Sequence, residues 1–150
     1  MGKAQGDRIS IRYYLFLTIK TPKFMELGVK QEAWIAALRS GKYKQATGTL
    51  FTGEGYCCLG VMCVLEGKEF VKSVKEECQN PDGYYIKGTS FNGVPPDEIA
   101  IEMYGLRSNL GSPADINGST LAALNDNGST FEEIADLLEK NPDEYFTKTA

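Results

Sequence analysis

Asn127-Gly128-Ser129-Thr130-Phe131-Glu132-Glu133-Ile134-Ala135-Asp136-Leu137-Leu138-Glu139-Lys140 is the stretch whose reading decides the fold class. Phe131, Ile134, Ala135 and Leu138 recur at helical spacing, so they make one apolar stripe of a helix over 130–140. Ser129, with Glu132 three residues on, reads as a capping box. Ten residues earlier the same pattern occurs as Asn117-Gly118-Ser119-Thr120-Leu121. An echo this short is far below a solenoid period and reads as two similar helix caps, with a second helix over 119–125.

Working outward, Trp34, Ala37 and Leu38 share a face of a helix over 29–40, with Lys30 and Ile35 at its margins. Gly41 supplies its left-handed end. Leu59 to Leu65 is apolar apart from Gly60 and fits either a buried strand or a buried helix; the favoured reading is a short buried helix ending at Gly67, with Gly60 marking a close approach of another backbone. Val94-Pro95-Pro96-Asp97-Glu98 starts a further helix that Gly105 stops.

The remaining elements are strands. Residues 9–19 are rich in β-branched and aromatic types, and Pro22 closes them off. Thr49 to Cys58 suggests a hairpin around Gly53-Glu54-Gly55, and Asn80-Pro81-Asp82-Gly83 is a turn that pairs Phe70–Glu77 with Tyr84–Gly88. The fold class that follows is α+β, a small, mainly antiparallel sheet with helices packed on one face.

The chain has 150 residues, the size of one domain. It contains no histidine, which excludes Ser-His-Asp and Cys-His catalysis and every His-ligated metal site. The net charge of −4 is too mild to indicate a nucleic-acid binder. Residues 1–88 carry 13 basic and 9 acidic side chains, residues 89–150 carry 3 and 11. Either the acidic helices pack on a more basic sheet, or the surface is bipolar with a basic patch at Arg39, Lys42 and Lys44. No apolar run is long enough to cross a membrane, and the short run at Tyr13–Leu17 lacks a cleavage site, so a cytosolic protein is expected. Cys57, Cys58 and Cys63 read as buried thiols filling the core, since their spacing fits no zinc knuckle. No phosphate loop, dinucleotide fingerprint or acidic metal motif is present, so no cofactor is implied.

Three stretches, Trp34 to Gln45, Tyr56 to Cys63 and Leu121 to Ala135, together resemble a group of uncharacterised small proteins of tailed bacteriophages and prophages. The resemblance implies a phage origin and a role outside core replication, and it carries over no functional residues. Residues 1–24 read as an extension whose strand joins the domain, because Met25 would be an ordinary start for such a protein; residues 25–150 form the single α+β domain.

The best binding candidate in the sequence is the loop Lys42-Tyr43-Lys44-Gln45 beside Arg39, with Asn125 and Asp126 as further polar members. Two cations, an aromatic plate and an amide suit a phosphate-bearing ligand or an acidic protein surface. Three function classes follow. The first is an accessory protein of the host cytoplasm that interferes with a host process, by sequestering a small nucleotide-like anion or by occupying a host protein. The second is a structural or virion-associated homo-oligomer, paired through the strand at 9–19. The third is a hydrolase or transferase using Cys57 or Cys58.

Overall fold

The computed structural model describes residues 25–73 and 82–150. The strand read over 9–19, Cys78 and the first half of the turn at Asn80 lie outside the described residues. The chain is α+β, with helices and a two-stranded antiparallel sheet. In order come α1 (Val29–Arg39), α2 (Cys58–Leu65), β1 (Phe70–Lys72), β2 (Tyr84–Ile86), a π-helical segment (Glu98–Met103), α3 (Leu121–Asp126), α4 (Phe131–Lys140) and the single turn α5 (Pro142–Tyr145).

The apolar composition of α2 puts it at the centre. Six of its residues, Cys58 to Cys63, are buried, and α1, α3 and the π-helical segment pack around it. Gly60 is required there. A Cβ at this position would lie 2.0 Å from the Leu50 carbonyl oxygen, so the loop bearing Leu50 crosses α2 where no side chain fits. Leu50 is itself fully buried, which couples this crossing to the core.

The α4 stripe is as the periodicity requires, with Phe131, Ile134, Ala135 and Leu138 all buried against α1. Its cap differs by one residue from the sequence reading. Thr130 is the N-cap: its Oγ1 accepts from Glu133 N at 3.1 Å, and Glu133 Oε1 accepts from Thr130 N at 3.3 Å. The reason is that Ser129 still belongs to the end of α3, its N–H donating to the Leu124 carbonyl at 3.0 Å. Thr120 caps α3 in the same way, accepting from Ala123 N at 3.1 Å.

On α1, Ile35 is buried beside Trp34 and Leu38, while Ala37 is only half-buried, so the core face is rotated from the expected one. Trp34 is the core's largest buried side chain, edge-on to Tyr104 and Phe146, with its indole N–H donating to the Cys58 carbonyl at 2.9 Å. The helix started by Pro95-Pro96 is wound as a π-helix: the Tyr104 N–H reaches the Ile99 carbonyl at 3.0 Å, before Gly105 ends it with φ +73°.

Beyond Lys140, where the sequence reading ends, Phe146 packs in the core and bridges Leu106. The buried Gln31 ties this tail down. Its Nε2 donates to the carbonyls of Tyr104 and Lys148 at 2.9 and 2.8 Å, and its Oε1 accepts from Gly28 N and Ala150 N at 2.9 and 3.1 Å.

Gly60→Ala is expected to cost about 2 kcal/mol or more, because Leu50 and α2 must separate and the core cannot follow without losing contacts. Urea unfolding checks this; an unchanged midpoint would mean the crossing is loose.

Candidate functional site

Gly41, at φ +73°, turns the chain out of α1 into the loop that the sequence singles out. Gln45 then points inward. Its Nε2 donates to Asn125 Oδ1 at 2.9 Å and to the Ser129 carbonyl at 2.7 Å, and its Oε1 accepts from Phe131 N at 3.1 Å. Asn125 is 1% exposed; its Oδ1 also accepts from Cys58 N at 3.1 Å, and its Nδ2 donates to the Ala46 carbonyl at 2.8 Å. The two amides thus satisfy backbone groups at the starts of α2 and α4, at the end of α3 and in the loop itself. Asp126, exposed beside them, accepts from Gly48 N at 3.0 Å. The fold brings Gln45, Asn125 and Asp126 together, and what they hold is the base of the loop.

What the loop presents is a set of rings. Lys42 Nζ lies 5.5 Å from the centre of the Tyr43 ring, and Tyr43 meets Tyr56 edge-on at 5.8 Å. Tyr56 stacks on Phe51 at 4.5 Å, and Phe51 in turn touches Phe70 and Tyr84 at 5.4 and 4.9 Å. All five rings are half-buried. Backbone bonds lace them together, with Tyr56 N donating to the Lys44 carbonyl and Ala46 N to the Tyr56 carbonyl, both at 2.8 Å. Gly53, at φ +95°, lets the Tyr84 ring lie on the turn, where a Cβ would come within 2.7 Å of it. Lys42 and Lys44 stand exposed at the margin. Lys44 is 3.7 Å from Glu54, a solvent-exposed pair that holds neither side chain firmly.

Sequence reasoning found Tyr43 and missed Phe51, Tyr56, Phe70 and Tyr84. The expected hairpin of 70–77 with 84–88 was the available signal. It forms as Phe70↔Ile86 and Lys72↔Tyr84, and it carries two of the four rings to the loop.

Arg39 turns away from this face. Its guanidinium binds Glu132, Asp136 and Glu139, which line one side of α4. Three carboxylates on one arginine leave no cation there for an anionic ligand, so the basic group on the loop is Lys42 and Lys44 without Arg39. At this contact the charge asymmetry of the sequence is met by packing within the domain.

The thiols are opposed to nucleophilic chemistry. Burial pushes Cys57 up to about 11, against the backbone N–H groups of Gly60 and Leu59, which lower it. Burial pushes Cys63 up to about 12, with the neighbouring Cys57 adding to the effect, and it raises Cys58 well above its ordinary value. Cys57 serves as the N-cap of α2, its Sγ accepting from Gly60 N at 3.3 Å. Among the described residues, no group of three or more His, Cys, Asp or Glu is gathered to hold a metal, and no helix is long and apolar enough to cross a membrane.

The family described as a domain of unknown function (DUF8296) matches residues 25–142, and the chain belongs to that family. No curated protein and no solved structure matches the chain.

Asn125→Ala is expected to destabilise the fold by about 3 kcal/mol, because it strands the Cys58 N–H and the Ala46 carbonyl, whereas Lys42→Ala stays within about 0.5 kcal/mol of the parent. Chemical denaturation of the two variants makes the comparison. Cys57, Cys58 and Cys63 are expected to resist Ellman's reagent at pH 8 and to react once urea unfolds the chain. Stability should also fall as pH rises above about 8.5, since the unfolded thiols ionise before the folded ones do. Rapid native labelling of any of the three would contradict their burial.

Proposed function

We propose that this protein is a phage-type accessory protein of the host cytoplasm, a binding protein rather than an enzyme, that occupies an acidic surface of a host protein. The observation that carries this reading is the cluster of Tyr43, Phe51, Tyr56, Phe70 and Tyr84 with Lys42 and Lys44 at its margin. Interface centres are enriched in aromatic side chains and depleted of charge, and their rims are polar. Half-buried rings already locked against one another lose little conformational freedom when a partner covers them. The two lysines at the margin would steer the approach of an acidic surface and fix its register.

A small nucleotide-like anion fits less well. Such ligands are held in concave sites that bury most of their surface. Among the described residues, the clefts beside α1 are lined by residues such as Leu27, Ile35 and Ala36, or Val29 and Met103, and these clefts include none of Lys42, Tyr43 and Lys44. The rings of Tyr56 and Phe51 also stack on each other, which leaves no slot between them for a base.

Native mass spectrometry of the protein purified from host cytoplasm tests the reading, with Lys42→Ala/Lys44→Ala as the paired variant. The expected result is a heteromeric complex that the double variant loses while its melting temperature stays within a few degrees of the parent. A complex that survives the double substitution would remove the loop from the interface. A small mass leaving on denaturation would favour the anion, and a bare, defined oligomer would favour a structural role; either would overturn the reading.

A further inference from the structure

The two-stranded sheet has an edge that the rest of the fold leaves unused. The ladder between β1 and β2 is antiparallel, with Val71 opposite Tyr85. Ser73 N donates to the Gly83 carbonyl at 2.9 Å, and Lys87 N donates to the Glu69 carbonyl at 2.8 Å. Hydrogen-bonded pairs alternate along such a ladder, so Glu69, Val71 and Ser73 bond towards β2. Phe70 and Lys72 therefore direct their N–H and C=O groups away from it. Among the described residues, these outward groups have no hydrogen-bond partner. An unpaired edge of this kind is a template for a further strand.

Alternation also places Phe70 and Lys72 on one face of the sheet, opposite Ile86 and Tyr84. It is the face with the rings, since Phe70 and Tyr84 both meet Phe51, and Phe70 meets Tyr56 at 6.0 Å. Edge and aromatic face are continuous. We propose that the partner enters as an extended segment that adds to β1 as a third strand, with an apolar side chain beside Phe70 and an acidic one beside Lys72. This rests on the reading that the ring face with its lysine margin meets an acidic surface, and it names the form the partner takes there.

Main-chain bonds to Phe70 and Lys72 supply the affinity of such an addition, and the side chains on the ring side supply its specificity. The two recognised residues of the partner lie two positions apart, because a strand returns to the same face at every second residue. An acid is favoured beside Lys72, since opposite charges across a pair of strands attract and like charges repel. Lys68 and Lys72 are exposed at this edge, whereas Glu69 is paired with Lys87 at 3.2 Å. A second copy of β1 would bring its own lysines to them, so an acidic segment is the better occupant.

Amide exchange of the full chain, followed by NMR during a peptide titration, tests this. The probe is an acetylated and amidated peptide, Val-Thr-Glu-Thr-Val-Thr-Glu, which sets an apolar and an acidic residue two apart on one face. Saturating peptide is expected to slow the Phe70 and Lys72 amides at least about tenfold, while the Val71 amide, already turned to β2, is unchanged. Lys72→Pro removes an outward N–H from an edge strand, where proline is tolerated. It is expected to weaken binding about tenfold or more, with the α2 amides still protected as a report that the fold is intact. Lys72→Ala loses the charge and keeps the N–H, so it should bind more weakly with Phe70 still protected. A peptide with lysine in place of each glutamate should not bind. Outward amides that exchange as fast with peptide as without would overturn the proposal, and so would a Lys72→Pro variant that binds like the parent. Phe70 and Lys72 amides already protected in the free chain would overturn it as well, and protection that rises with protein concentration would mean that the edge pairs with a second copy. Failure of the proposed function reads differently: the Tyr43 and Tyr56 ring signals do not respond to the peptide and Lys42→Ala/Lys44→Ala leaves the titration unchanged, whether or not the amides slow. Ring signals that respond while the outward amides do not would keep the acidic-surface reading and remove the added strand.

Discussion

The interaction on which the rest of the structure depends is the pair of amides formed by half-buried Gln45 and buried Asn125. Between them they engage backbone groups of Cys58, Phe131, Ser129 and Ala46, so one pair of side chains closes the starts of two helices and anchors the loop between them. The net gain from any one of these bonds is small, about 1 kcal/mol. The cost of leaving a buried donor or acceptor unmade is larger, about 1–3 kcal/mol each. That asymmetry makes the pair a constraint rather than an ornament: an apolar replacement at either position leaves two backbone groups without their partner. Gln31 solves the same problem at the opposite end of the core, where it joins the π-helical segment to the tail.

The consequence for function is a division of labour inside one short loop. Gln45 points in and fixes the backbone, which leaves Lys42, Tyr43 and Lys44 facing out on a rigid base. The loop's ion pair with Glu54 and the contact of Lys42 with the Tyr43 ring are solvent-exposed and weak. Geometry at this face is therefore set by the amides below and by ring packing beside it, not by the charges it displays. Charges freed from a structural task can be changed without unfolding the protein, and on the proposed reading they are the part that meets the partner.

How much of this is legible in the sequence depends on range. The stripe of α4, the left-handed Gly41 and the close approach at Gly60 are local, and each follows from a period or from the absence of a side chain. The cap at Thr130 was misplaced by one residue, because Ser129 is equally suited by type and is taken by α3. Pairings across the chain leave no such trace. Gln45 and Asn125 are named by the sequence as polar candidates, but nothing in the spacing says that they meet across 80 positions. Arg39 reads as part of a basic patch until α4 brings three carboxylates to it. The aromatic face is the least legible feature, since its rings come from the loop and from both strands of a hairpin, and no sequence period joins them.

A double-mutant cycle on Gln45→Ala and Asn125→Ala, read by urea unfolding, tests the central claim most directly. If the two amides act as one device, each single substitution strands its own backbone partners and also removes the bond that orients the other amide. The account therefore predicts that the double variant is more stable than the sum of the single losses allows, with a coupling of about 1 kcal/mol or more. Additive losses would contradict it, because the two side chains would then be holding the loop and the helix starts separately.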